Sequence, residues 1–377
     1  MSRHLIKTFD PLPFPIERGE GAYVYDDQGN QYLDLYGGHA VSLMGHNPKA
    51  IVEAITAQAN KLFFYSNAAD TSIRDQAADA LAEIVHPTLG NFFFCNSGAE
   101  ANENALKLAI RLTGRAKLAA YSGSFHGRSL LCTSVSDNPK TNDELGEWTG
   151  GRVTFLEPND EAGLELLSEE FAAVILEPIQ SMAGMTQFTH EYLCKLRELC
   201  SRFGIVLIFD EVQTGFGRTG QNFVSGFSGV EPDMMTSAKG IASGYPVGLL
   251  AVHDSLVSRV KMGDLGSTYG GGPVAMAAVK ATAEMLKDGR MVERVRQLGS
   301  EFESLIQVNG VEEVRGQGCL IGLKTVLPAK QLRDKLLEHR IITGTSKDPY
   351  VLRLLPPIVL EDEHIAAFRV ALGACLL

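Results

Sequence analysis

Between residues 90 and 252 the chain alternates short apolar runs with stretches of helical period. The runs are Asn91–Cys95, Lys117–Tyr121, Arg152–Leu156, Phe171–Glu177, Ile205–Asp210, Asp233–Ala238 and Val247–Val252. Several are apolar throughout rather than at every second position, the pattern of strands covered by helices on both faces. Helical patterns such as Ala99–Leu112 and Thr189–Phe203 fall between them. That order predicts an α/β fold built on a mostly parallel sheet.

The flanks read differently. Upstream, Ala22–Leu35 reads as a hairpin turning at Gly29–Asn30, followed by helices over Pro48–Leu62 and Ser72–Val85. Downstream of Pro273, a long helical stretch, Val274–Ile306, precedes Val314–Leu323 and Lys330–His339. An extended Tyr350–Leu354 and a last helix near Glu361–Leu372 follow. The texture predicts a smaller α+β domain formed by residues 271–377 and joined by the N-terminal segment 1–48, beside a large domain over 49–270.

Composition narrows the class. Across 377 residues, 34 Lys and Arg against 45 Asp and Glu give a net charge of −11. A nucleic acid or an anionic membrane is therefore a poor match as main partner. No apolar run approaches the roughly 20 residues of a membrane span, and Met1–Asp10 lacks the apolar stretch of a signal peptide. A cytoplasmic protein is expected. The six cysteines form no CxxC pair and read as buried thiols rather than disulfides or a zinc site. Glycine is abundant at 38 residues, which calls for turns and for close approach of backbone to something.

In an open α/β sheet, ligands bind beyond the carboxyl ends of the strands. Asn91–Cys95 ends in Asn96-Ser97-Gly98-Ala99-Glu100, a capping-box start with small residues, suited either to a phosphate or to an ordinary helix cap. Lys117–Tyr121 leads to Phe125-His126-Gly127-Arg128, which could stack on a flat ring and grip a carboxylate, or be a core Phe beside a surface Arg. Ile205–Phe209 runs into Asp210-Glu211-Val212-Gln213, an acid that could serve a site, cap a helix or bind a metal. Asp233–Ala238 ends at Lys239-Gly240, an amine that could serve as a nucleophile or lie in solvent. Gly215-Phe216-Gly217-Arg218-Thr219-Gly220 matches GxGxxG, but it follows no strand directly and Gln221–Gly229 has no helical period, so a bent loop is expected there. Phosphate seat, stacking ring, acid and amine at successive strand ends together fit pyridoxal phosphate.

These segments resemble the class III pyridoxal-phosphate aminotransferases, and within them the acetylornithine aminotransferases. Further resemblance lies in Leu33-Asp34-Leu35-Tyr36-Gly37-Gly38-His39-Ala40-Val41, Gly45-His46-Asn47-Pro48, Glu177-Pro178-Ile179-Gln180, Ser267-Thr268-Tyr269-Gly270-Gly271 and Arg353…Pro356-Pro357. It runs along essentially the whole chain. The resemblance implies a fold-type-I transferase with a mostly parallel seven-stranded sheet and a smaller α+β domain from both termini. It implies that Lys239 carries the cofactor and shuttles a proton, and that Asp210 pairs with the pyridine nitrogen. Phe125 would stack on the ring and Gln213 would bond its phenolic oxygen. Ser97, Gly98 and Ala99 would seat the phosphate, and Thr268 would reach the phosphate of a neighbouring subunit in a homodimer. Glu177 would orient the site. Arg128 and Arg353 would clamp carboxylates of the amine donor and of 2-oxoglutarate.

Two departures from the family pattern stand out. Many relatives carry a Glu two residues after the Gln that shields the second arginine; here Met182 occupies that place in Gln180-Ser181-Met182-Ala183-Gly184. Phe9 stands where relatives usually have Tyr. Both make the site more apolar, and the expected activity is transfer of the δ-amine of an N-acetyl- or N-succinyl-ornithine to 2-oxoglutarate, in arginine biosynthesis. Rivals are another ω-aminotransferase acting on ornithine, 4-aminobutyrate or a diamine, an aminomutase or decarboxylase on the same scaffold, and a cofactor-binding protein without turnover. Donor profiling and a 2-oxoglutarate requirement separate them. No HExxH or Cys/His cluster suggests a metal.

Overall fold

The computed structural model describes residues 4–226 and 229–377, with all of their side chains except those of 146–149 and 226. Residues 1–3 of the expected N-terminal segment and 227–228 of the aperiodic stretch 221–229 lie outside the described residues. The described residues form a seven-stranded sheet in the order Asn91–Cys95, Gly248–Val252, Met234–Ser237, Val206–Asp210, Phe171–Leu176, Lys117–Tyr121 and Val153–Leu156. Six strands run the same way, and Gly248–Val252 is antiparallel to its neighbours. The seven apolar runs are these seven strands, each within one residue of its expected ends.

Burial on both faces explains why the runs are continuous. Leu207 and Phe209 pack with Leu193 and Leu196 of the helix His190–Phe203. The alternate residues Val206 and Ile208 pack with Ala105, Leu106 and Ala109 of the helix Gly98–Thr113. Both helices have well-defined ends. Ser97 Oγ accepts from Glu100 N at 3.1 Å and Thr189 Oγ1 accepts from Tyr192 N at 3.2 Å. Gly114 and Gly204 close them in the left-handed region.

The terminal parts are joined by strand pairing. Gln31–Asp34 is antiparallel to Tyr23–Asp26 and parallel to Ile341–Ile342. Ile16–Glu20 adds a further strand that the hairpin reading did not include. A second sheet holds Val311–Gln317, Leu320–Thr325, Val351–Leu354 and Gly344–Thr345 in that order. One expectation is corrected here. The stretch Val274–Ile306 is two α-helices, Pro273–Leu286 and Arg290–Glu303, because Gly289 takes φ +73° and breaks the run; a 3₁₀ turn follows. Val314–Leu323 is a hairpin that turns at Gly318, φ +61°. Among the cysteines all are free, but Cys194 is exposed on the outer side of its helix while the other five are buried. No described helix is long and apolar enough to cross a membrane.

Candidate active site

The carboxyl ends of the parallel strands converge on one cavity of about 410 Å³. The loops after five of the parallel strands and the start of the antiparallel one supply its walls. Ser97, Gly98, Ala99, Phe125, Arg128, Glu177, Asp210, Gln213 and Lys239 all line it. Arg353 is buried nearby on Val351–Leu354. Thr268 does not line this cavity: it is exposed, in a segment where Ser267 accepts from Asn96 Nδ2 at 3.2 Å.

Asp210 sits at the centre of a polar network, 3% exposed. Its Oδ2 accepts from Asn102 Nδ2 and bonds His126 Nδ1, both at 2.7 Å, and its Oδ1 accepts from Val212 N at 3.0 Å. That is the bond pattern of a carboxylate acceptor, and it requires His126 to carry its proton on Nδ1. Thr236 Oγ1 donates to Asn102 Oδ1 at 2.5 Å, and Asn102 Nδ2 also donates to the His126 carbonyl at 2.8 Å. The Asn102 amide is thereby fixed with its nitrogen toward Asp210.

Lys239 follows the strand Met234–Ser237 and opens a short 3₁₀ turn at φ +45°. Burial is the chief cause that pulls its amine down to about 8, against the opposing charges of Asp210 and Glu177. Glu177 is enclosed and accepts from Phe125 N at 2.8 Å. Burial pushes its carboxyl up to about 7, His126 and Lys239 drawing it back. His39 registers the rest of the site: burial first, then the charges of Arg353, Lys239 and Arg128, hold its ring below the ordinary value. The two arginines and the amine therefore share one neighbourhood.

Two close approaches shape the floor. A Cβ on Gly98 would lie 2.9 Å from both methyls of Val212, and one on Gly127 would lie 2.8 Å from Ala99 Cβ. The first helical turn thus presses against the loop after Asp210, with its N–H groups lacking intrahelical acceptors. The capping box forms only in part. Glu100 does not return to Ser97 N; its carboxylate accepts instead from Asn96 N at 3.0 Å and Asn96 Nδ2 at 2.9 Å.

A family model described as "Aminotransferase class-III" matches residues 6–376. The chain belongs to this family. The acetylornithine aminotransferase of Methanosarcina mazei is 39% identical over 97% of this chain and 92% of its own length. A protein of Sulfurisphaera tokodaii named [LysW]-aminoadipate semialdehyde/glutamate semialdehyde transaminase is 36% identical over 96% of this chain and 94% of its own. Among solved structures, the ornithine aminotransferase of Toxoplasma gondii superposes with a TM-score of 0.90 at 28% identity, covering 99% of this chain and 92% of that one.

This class-III aminotransferase is a pyridoxal-phosphate-dependent transaminase. The residues present fit that cofactor. Gln213 Oε1 is buried at the cavity without a partner, an acceptor waiting for a hydroxyl or protonated group. The volume suits a small ligand, and the glycines leave backbone open at a helix N-terminus. Asn102, His126 and Thr236 were given no role by sequence reasoning. One signal was available: Asn102 lies four residues after Gly98, on the same helix face, where an amide inside an otherwise apolar stripe marks a buried polar contact.

Proposed function

We propose that this aminotransferase moves the δ-amine of an N-acylated ornithine, N-acetyl- or N-succinyl-ornithine, to 2-oxoglutarate in two alternating half-reactions, as a cytoplasmic step of arginine biosynthesis. The observation that carries the reading is the pair of cations, Arg128 and Arg353, set about the single amine of Lys239. A substrate with an amine at one end and a carboxylate at the other matches that arrangement. The cation Arg128 lies 5.6 Å from the Phe9 ring centre and 5.4 Å from that of Phe125, two aromatic rings against which an acyl group can pack. The acetylornithine aminotransferases among the relatives support the same donor.

Pyridoxal phosphate, when bound, supplies an aldehyde that takes up the amine and a ring that draws off electrons as a C–H proton leaves. Lys239 would hold it, and its amine is the group placed to move that proton. Asp210, fixed by Asn102, His126 and Val212 N, would pair with the ring nitrogen and keep it protonated. Gln213 would bond the phenolic oxygen, Phe125 would stack on the ring, and Ser97, Gly98 and Ala99 would seat the phosphate. Glu177 anchors the backbone of Phe125. Arg128 and Arg353 would take the carboxylates. The active unit is a homodimer in which Thr268 completes the partner's phosphate seat; its exposure beside Tyr269, whose ring is 5.2 Å from that of Phe64, supports this.

Measuring kcat/KM for N-acetylornithine, N-succinylornithine and free ornithine tests the donor, and a clear preference for free ornithine would overturn it. Lys239→Ala should retain cofactor but lose turnover and the absorbance band of the lysine-bound form.

A further inference from the structure

Arg353 is 5% exposed and is held only by neutral oxygens. Its Nε donates to the Thr345 carbonyl at 2.6 Å, one terminal nitrogen to Ser181 Oγ at 3.0 Å and the other to the Tyr36 hydroxyl at 2.7 Å. A guanidinium carries five N–H groups. Three are engaged, which leaves one N–H on each terminal nitrogen for a carboxylate.

The holding groups are built in rather than incidental. Asp34 Oδ1 accepts from Tyr36 N at 2.8 Å and Gly37 N at 2.9 Å, and the chain then turns through four consecutive positive φ angles, Gly37 to Ala40. This directs the Tyr36 ring over the guanidinium, with Arg353 Cζ 5.5 Å from its centre. Gly344 is the register partner of Arg353, and a Cβ there would stand 2.0 Å from the Tyr36 ring, so any other residue would displace it. Ser181, fully buried, follows the short strand Ile179–Gln180.

A buried cation without a bonded counter-ion gains strongly from an anion. If a protein carboxylate occupied the free N–H groups, it would have to leave before a substrate carboxylate could enter. Hydroxyls on the other N–H groups need not move. We propose that Tyr36 and Ser181 are specificity-determining positioning residues that keep Arg353 permanently open as a carboxylate seat, so the resting enzyme takes dicarboxylates at Arg128 and Arg353 together without first breaking an internal ion pair. This rests on the assignment of both arginines as carboxylate clamps and goes beyond it: the five-carbon dicarboxylates of the second half-reaction compete with the amine donor at every stage, so 2-oxoglutarate inhibits at high concentration.

The test is a binding titration of cofactor-loaded enzyme with two unreactive acids, glutarate and pentanoate, followed through the absorbance of the bound cofactor. In the unmodified protein glutarate should bind at least about tenfold tighter, the equivalent of one charge-assisted pair. Ser181→Asp, which sets a carboxylate against Arg353, should bring the two acids to within about threefold of each other. Ser181→Asn, equal in size but neutral, should keep the preference. A ratio near one in the unmodified protein overturns the proposal whether or not the variants fold. So does a preference that survives in Ser181→Asp or that is lost equally in Ser181→Asn. The titration needs no turnover, so a protein that fails to transaminate N-acylornithines would refute the donor assignment and leave this result standing.

Discussion

Asp210 owes its position to residues remote in sequence. Asn102 is 108 positions away and His126 is 84, yet both meet the same carboxylate oxygen. Asn102→Ala would remove one donor from Asp210 and leave Thr236 Oγ1 and the His126 carbonyl without their partner. An unsatisfied buried polar group costs about 1–3 kcal/mol, so cofactor retention during dialysis and kcat should each fall by roughly tenfold or more. Unchanged values would mean that His126 and Val212 N suffice. Lys239 gives a pH prediction. With its amine at about 8, the neutral nucleophile grows as pH rises, so the rate at which apoprotein takes up pyridoxal phosphate should climb and level off above about 8. The Glu177 charge raises the Lys239 value, so Glu177→Gln should move that midpoint to lower pH; a midpoint moving upward would contradict the geometry. The acid and the amine were legible in the sequence because each ends an apolar run. Their partners were not, because nothing local in Asn102 or His126 tells which strand end folds against them.

Elements show a similar division. Strands and capped helices were readable where local chemistry decides them, as with Ser97 and Gly114 around Gly98–Thr113. The Val274–Ile306 stretch misled because Lys287-Asp288-Gly289 is polar enough to sit on a helix surface. Only the left-handed φ of Gly289 shows the break. The pairing of Gln31–Asp34 with Ile341–Ile342 spans most of the chain, and no pattern within either strand specifies it. At the helix start, Gly98 has a tertiary reason to be glycine, since Val212 occupies the space a side chain would need. Gly98→Ala should push the first helical turn away from the loop after Asp210. The expected outcome is a cofactor dissociation constant raised at least about tenfold, with thermal unfolding of the apoprotein changed little because alanine favours helix. If both quantities stay at their original values, the contact with Val212 is not what fixes the helix start.

The molecule as a whole is tied together by a side chain whose motif suggested nothing of the kind. Arg218 lies in the glycine-rich loop 215–220, which does bend sharply, with Gly217 at φ +86° and Gly220 at +79°. The guanidinium is fully buried and donates to the carbonyls of Cys319, Pro356 and Ala40. It thus links the loop behind Asp210 to the turn that carries Tyr36 and to the sheet that carries Arg353. No carboxylate is among these partners, and burial lowers the group to about 10, so it remains charged at neutral pH. Arg218→Met would fill much of the volume and remove the cost of burying a cation, but it would leave three carbonyls without this donor. Charge-assisted bonds contribute about 1.5–3 kcal/mol each, so their combined loss outweighs the relief and a net loss of about 3 kcal/mol is expected. The melting temperature should fall by roughly 4 °C. Amide exchange should quicken first in Leu320–Thr325 and Val351–Leu354, the strands nearest the broken ties, while the central strand Val206–Asp210 stays protected. Exchange that quickens uniformly across both sheets would show instead that Arg218 stabilises the loop alone, and that the terminal sheets hold their place by apolar packing.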